Sequence, residues 1–424
     1  AHTLAGMARL VEVAGRSGGT GGGPTGHAID WQAEAVLPDD IRPDLVPPAD
    51  WANPSALFIT GASGFLGAFV LRELLDQTRA DLLCLVRAPD AATGLTRIKQ
   101  NLATYDLWRD EDTHRIVPLV GDLSEPRFGL SGPDYARLAQ VDAIYHNGGL
   151  VNFIHPYTML KAANVGGTEH VLRLASDVRR KAVHFVSTLS VFLPKHKTDA
   201  DLVRDGDIPL DIEHIDDGYS QSKWVAEQLV MQARALGLPA SIYRPARISG
   251  HSLTGLTNTA DYMSRFIKGC IQLGSAPAWD VLVDLAPVDF VSKSIVYLSR
   301  QPDMLGHDFH IMNTERMEWH EFVDGIRTQG YPLQTIPHDA WRSTLLQIVA
   351  GQGENALEPF IPLFYEDDET PTKRKMPRFD CSFTLDRLAQ GGIYCPPADE
   401  RLLQTYFNYM VRTGFLPEAR REES

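Results

Sequence analysis

The side chains of this 424-residue chain that are best suited to chemistry fall close together. The apolar run AVHFVST ends in Ser187 and Thr188, and further on YSQSK sets Tyr219 and Lys223 four residues apart. On a helix, residues i and i+4 share one face. A tyrosine hydroxyl titrates at ~10, too high to exchange protons near neutrality unless a fixed cation favours its phenolate. Lys223 has the spacing to supply that charge. Thr188, at a strand's carboxyl end, offers a second hydroxyl to the same substrate oxygen. Two donors converging on one oxygen beside a hydride source are the minimum for carbonyl reduction. Taken alone, Tyr-x-x-x-Lys reads equally as a solvated surface pair, so the elements that must position it decide its weight.

Those elements begin at Leu57. The run Leu57, Phe58, Ile59 leads into TGASGFLG and then AFVLRELLDQ, whose apolar residues follow helical spacing: strand, glycine turn, helix. Gly61, Gly64 and Gly67 form GxxGxxG, a variant of the dinucleotide fingerprint, in which glycines allow a tight turn, close approach of pyrophosphate and helix-on-strand packing. A second strand, Leu82 to Val86, follows at the distance a βαβ unit requires. It ends in Arg87, with Arg97 further on, where a chain specific for NAD would place Asp or Glu. Unless both are solvated surface arginines, this favours a 2′-phosphate and hence NADPH. Further strands are expected at Ile116 to Val120, Ala143 to His146, Ala182 to Ser187 and Ser241 to Arg244, with helical stretches between. That alternation predicts an α/β fold, a Rossmann-type doubly wound parallel sheet. Asp122 lies just past a strand, either as an acceptor for an adenine amino group or as a turn residue.

Composition bounds the rest. Forty basic against 54 acidic residues leave a net charge of −14, which argues against nucleic acid or an anionic membrane as a partner. Cys84, Cys270, Cys381 and Cys395 show no metal-site spacing, and free thiols in a cytoplasmic setting are the expectation. His146 and His155 lack a third ligand, so no metal is expected. The stretch Ala1–Ala14 has one apolar helical face and runs into the glycine-rich GRSGGTGGGPTG. It is either the last helix of a neighbouring domain or an N-terminal extension packed on its own protein.

Together, TGASGFLG, Arg87, GDL at Gly121–Leu123, HNGGLVN at His146–Asn152, NVGGT at Asn164–Thr168, Thr188, YSQSK and YRPARISG at Tyr243–Gly250 resemble an extended short-chain dehydrogenase/reductase. More narrowly, the chain resembles the terminal thioester reductase domains of nonribosomal peptide synthetases and hybrid polyketide synthases, relatives of carboxylic acid reductases, over Trp31 to Pro417. The resemblance implies reductive release of an acyl or peptidyl thioester to an aldehyde, with further reduction to an alcohol left open. Thr188 and Tyr219 would hold the carbonyl oxygen, Lys223 the nicotinamide ribose, and Asn164 would support the lysine. The NADPH site would comprise Thr60, Gly61, Ser63, Gly64, Phe65, Leu66, Gly67, Arg87, Arg97, Asp122, Leu123, Asn147, Gly148, Lys223, Pro245 and Ile248. The implied partner is an upstream carrier domain bearing the phosphopantetheine thioester, residues 1–14 being a remnant of its last helix and 15–50 a linker and lead-in. No oligomer is required for that delivery. Ala246 departs from the glycine frequent in relatives, and Arg247 is open between a ligand contact and a salt bridge.

The expected division is a Rossmann domain over 51–255 and a smaller, mostly helical C-terminal substrate domain over 256–424. Strands near 281–284 and 309–313 are expected to return to the sheet. Helices are expected at Asp261–Leu273, Trp319–Ile326 and Arg401–Val411. Trp279, Trp341, Phe360, Phe364 and Tyr365 read as acyl-channel lining or as ordinary packing. Two other functions fit the fold: an extended family member acting on a nucleotide sugar or steroid, or an idle NADP-binding or carrier-docking module.

Overall fold

The computed structural model describes residues 29–194, 200–364 and 376–419. The helix expected at Ala1–Ala14, its glycine tether and Tyr365 therefore lie outside the described residues. The described residues from Ala35 onward cluster as one compact unit.

Its centre is a parallel sheet of β1 (Ala56–Thr60), β2 (Asp81–Val86), β3 (Ile116–Val120), β4 (Ala143–His146), β5 (Ala182–Val186), β6 (Ala240–Pro245) and β7 (Asp308–Ile311). The spatial order is β7-β6-β5-β4-β1-β2-β3, so the winding reverses between β1 and β4. The strands are short and mostly buried, as a sheet covered by helices on both sides demands, with His184 of β5, Arg244 of β6 and Asp308 and His310 of β7 among the buried polar exceptions. Thr60 aligns with His146, His146 with Phe185, and Val186 with Tyr243. That register brings the carboxyl ends of β1, β4, β5 and β6 level with one another.

The helices that shape the site are α1 (Phe65–Gln77), α2 (Ala91–Thr104), α3 (Tyr157–Lys161), α4 (Gly167–Ala175) and α5 (Gly218–Ala235). A single π turn, Ala162–Gly166, joins α3 to α4, with the Gly167 N–H donating to the Ala162 carbonyl. Asp217 caps α5, its carboxylate accepting from the Ser220 N–H. At the start of α5, a Cβ on Gly218 would come within 2.4 Å of the Tyr157 backbone, so this glycine lets α5 seat on α3. Farther on come α6 (Tyr262–Leu273), α7 (Val288–Ser299), α8 (Trp319–Thr328), α9 (His338–Ala350) and α10 (Glu400–Arg412). Among the described residues, no helix is long and apolar enough to cross a membrane.

Two large hydrophobic cores form among the described residues, beside a small cluster of Leu189, Met312 and Cys381. The first joins the sheet to α1, α2 and α7 through residues such as Leu71, Leu74, Val291 and Ile295. The second gathers Phe266, Trp319, Phe322, Trp341 and Phe407 beyond residue 256. Beyond residue 255, α7 and β7 complete the first core and the sheet. Of the two strands expected to return, Asp308–Ile311 does so beside β6, whereas Leu282–Val283 pairs antiparallel with Met317–Glu318 outside the sheet. Once β7 occupies the edge beyond β6, a two-residue strand at 282–283 finds its partner in the chain leading into α8. Trp341 is fully buried and donates to the Ser275 carbonyl, and Trp279 donates to His338, so both indoles are packed and hydrogen-bonded.

Candidate active site

The loop after β1 is set by what its glycines exclude. Gly61 has φ +76, in the left-handed region, and a Cβ there would lie 2.8 Å from Gly148. A Cβ on Gly67 would lie 1.9 Å from the Gly61 carbonyl oxygen, and one on Gly148 would lie 2.6 Å from Leu123. Backbone from the ends of β1 and β4 thus closes together at the point where the strand order reverses, the place where open α/β sheets bind ligands. Asn101 of α2 donates to the carbonyls of Ala62 and Gly64 at 3.2 and 3.1 Å, staking the loop from outside. Thr60 is fully buried, its hydroxyl accepting from the Gly148 N–H at 2.9 Å. Phe65 packs on Phe69 and Tyr105, and Leu66 is buried, which leaves the backbone of α1's first turn, with Ser63 and the exposed Gly64, to face a ligand.

Arg87, at the end of β2, is well exposed and stands 4.0 Å from Asp122. Arg97 donates to the Arg87 carbonyl at 2.9 Å, which brings the two expected guanidinium groups to one corner of the cleft. Asp122 also accepts from the N–H and hydroxyl of Ser124, so it organises its own turn while one face remains open.

Behind the loop runs a chain of hydrogen bonds. Thr60 meets His146 Nδ1 at 2.8 Å, His146 Nε2 meets Thr168 at 3.0 Å, and the Thr168 hydroxyl donates to the Asn164 carbonyl at 2.6 Å. Burial, with the Lys223 charge adding to it, holds the His146 imidazole pKa down at about 3, so the ring is neutral. Since the Thr168 hydroxyl gives its proton to the Asn164 carbonyl, it accepts from the His146 Nε2–H, and the Nδ1 of the neutral ring accepts from the Thr60 hydroxyl. His146 is thereby committed to holding the sheet's carboxyl edge. Asn164 sits on the π turn, a distortion often found at functional sites. Its side chain accepts from the Leu150 N–H, donates to the Leu150 carbonyl, and donates to Ser222 at 2.9 Å.

Thr188 and Lys223 lie at the adjoining end of β5, and Tyr219 stands one turn before Lys223 on α5. The Thr188 hydroxyl lies 3.1 Å from that of Ser190, and Ser220 donates to Ser190 at 2.8 Å. Ser190 thus connects Thr188 to Ser220, the residue next to Tyr219. The Tyr219 ring stands edge-on to Phe153 at 5.4 Å, and desolvation, with Asp217 adding, pushes the phenol well above its ordinary range. Lys223 Nζ donates to the Val186 carbonyl at 2.7 Å and lies 4.1 Å over the Phe185 ring. No hydrogen bond links Lys223 to Tyr219 in the described residues. Burial draws the lysine pKa down to about 7, opposed by the charge of Glu227. The expectation that Lys223 favours the phenolate thus meets a lysine bound to the strand and a phenol raised by burial.

Pro245 ends β6, and Ile248 pairs with Ala286 in a short parallel bridge just beyond it. Asn147 follows β4 directly and is half-buried. Arg247 is exposed, 5.8 Å from the Tyr262 ring, with no salt bridge among the described residues. Sequence reasoning missed Asn101, Ser190, Ser220 and Ser222. Only Ser220 and Ser222, inside YSQSK, carried any local signal.

These residues fit a dinucleotide. The loop has room only for backbone where side chains would otherwise fill it, and the Ser187 hydroxyl, beside Thr188, is buried without a hydrogen-bond partner. Residues 59–295 match the family model described as Male sterility protein, an NAD-binding family. A linear gramicidin synthase polypeptide of Brevibacillus parabrevis is 39% identical over 417 residues, which is 98% of this chain and 8% of that protein's length. The crystal structure of the terminal R domain from the myxalamid PKS-NRPS pathway is similar with a TM-score of 0.87 at 40% identity, covering 92% of this chain and 99% of that one. A thiolation-reductase di-domain from an archaeal non-ribosomal peptide synthetase shares the fold, with a TM-score of 0.70 at 22% identity over 91% of this chain and 80% of that one.

Proposed function

Because the chain belongs to the NAD-binding Male sterility protein family, within the extended short-chain dehydrogenase/reductases, we propose that it releases a carrier-bound acyl or peptidyl thioester as an aldehyde at the expense of NADPH. One observation carries the reading: Thr188 and the helix of Tyr219 and Lys223 stand at the end of β5, beside the glycine loop at the reversal of the sheet.

A bound nicotinamide dinucleotide would supply a hydride to the carbonyl carbon. The residues that would hold it are the glycine loop of Gly61, Gly64 and Gly67, the Arg87–Arg97 corner for a 2′-phosphate, and Lys223 at the ribose. The Thr188 and Tyr219 hydroxyls then donate to the carbonyl oxygen where negative charge gathers. Lys223, fixed by Val186, offsets charge left on the phenol oxygen when Tyr219 gives up its proton. The resulting hemithioacetal collapses by C–S cleavage, giving an aldehyde and, after protonation, the free carrier thiol. No acyl-enzyme intermediate arises, so no nucleophilic serine is needed. The names of the relatives support an upstream thiolation domain as the donor of the thioester.

An acyl-pantetheine or acyl-carrier thioester incubated with NADPH tests this. Loss of nicotinamide absorbance with stoichiometric aldehyde is the expected result. Tight NADPH binding with no consumption refutes it, as does reduction confined to nucleotide-sugar or steroid carbonyls.

A further inference from the structure

Arg244 lies inside YRPARISG, one residue before Pro245, and both it and Glu227 have fully buried side chains. Arg244 Nε and Nη2 reach the Glu227 carboxylate at 2.8 to 3.1 Å, a two-pronged ion pair. Arg244 Nη1 donates to the carbonyls of Asp205 and Asp207 and stands 3.3 Å from His310 Nε2, while Nη2 lies 3.5 Å from Asp308. The guanidinium also sits 4.8 Å from the ring of Phe192. A buried ion pair is poor support for stability as such, since packed apolar groups commonly do as well, so its placement calls for another reason.

That placement is specific. Glu227 is one helical turn beyond Lys223 and two beyond Tyr219 on α5, so all three share a face. Phe192 closes the short turn Leu189–Phe192 that Thr188 caps. One guanidinium therefore grips both halves of the constellation: the helix of Tyr219 and Lys223 through Glu227, and the turn of Thr188 through Phe192. We propose that Arg244 and Glu227 are a positioning pair that sets Thr188 against Tyr219 and Lys223. This rests on the catalytic reading above and adds to it the residues that make its geometry fixed. Facing Lys223 are the neutral His146 from β4, the Val186 carbonyl and Phe185 ring of β5, and Glu227 from its own helix. Glu227 is the only carboxylate among them and favours the ammonium.

The test uses the full chain with NADPH and an acyl-pantetheine thioester. In the double variant Arg244→Met with Glu227→Leu, Asp308 keeps Arg234, and Asp205 keeps Thr384 and the His310 N–H, so no carboxylate is stranded. The expected result is NADPH affinity near that of the parent with kcat lower by about 100-fold, the effect of misplacing catalytic groups by ~1 Å. A double variant with parental kcat overturns the proposal. Should that variant not fold, Glu227→Gln serves instead. It is expected to lower kcat and to move the alkaline limb of the pH profile about 1 unit toward acid, as loss of a facing negative charge requires. A limb and kcat that stay in place overturn the proposal. Tyr219→Phe, run alongside, separates the two readings. An inactive Tyr219→Phe beside a fully active double variant overturns the positioning pair alone, whereas an active Tyr219→Phe overturns the catalytic reading itself.

Discussion

Lys223 Nζ donates to the backbone carbonyl of Val186 at 2.7 Å, tying α5 to the end of β5 two residues before Thr188. The bond fixes the ammonium in a place that burial makes expensive for charge, which is why the lysine pKa falls to about 7. The working form is the ammonium, present below that pKa and lost as pH rises through it. We expect kcat/KM for the cofactor, which reports the free enzyme, to be level below about pH 7 and to fall about tenfold per unit above it. A pH profile flat from 6 to 9 contradicts this assignment.

Tyr219→Phe keeps the ring and its edge-on contact with Phe153 while deleting one oxygen. Turnover is expected to fall about 10²- to 10⁴-fold, the usual worth of a positioned proton donor, with cofactor affinity nearly unchanged. Steady-state kinetics and a binding titration on the same preparation check both halves.

The glycine loop predicts an order of damage. Alanine at Gly67 places a methyl 1.9 Å from the Gly61 carbonyl, whereas alanine at Gly64 places one at 3.3 Å from the same atom. Gly67→Ala should cost about 1–3 kcal/mol or more through overpacking and should abolish most NADPH binding. Gly64→Ala should be the milder of the two by thermal melting and by Kd, and the reverse order would mean that the loop is not shaped by this contact.

Arg87 is exposed and near Asp122, with Arg97 bonded to its carbonyl. Arg87→Ala is expected to weaken NADPH at least tenfold, about the worth of a charge-assisted hydrogen bond, while leaving NADH almost unaffected. Equal losses for the two cofactors would remove the 2′-phosphate from this corner.

The sheet was legible because β1 and β2 are nearly continuous apolar runs between turn residues, and the fingerprint fixed where β1 ends and α1 begins. The exception at 282–283 has only two paired residues, too few to reveal a partner. Thr188, Tyr219 and Lys223 were legible because each sits at a fixed distance from an element boundary. What supports them was hidden. Asn101 reaches the glycine loop from another helix, and Ser190 meets Ser220 across a gap in sequence. Arg244 and Glu227 find each other only when β6 passes beneath α5. Such pairs are set by tertiary packing and leave no periodicity. The aromatic residues beyond 256 read either way in the sequence, and the full burial of Trp341 places it in the second core.

The central claim is reductive release by hydride transfer. It is tested most directly by giving the protein an acyl-carrier thioester with NADPH deuterated at the transferring position and following the product by mass. The account predicts one deuterium on the aldehyde carbon and one free carrier thiol for each NADPH consumed. Free thiol appearing without NADPH loss, with the chain recovered as an acid or a cyclised product free of deuterium, would contradict it.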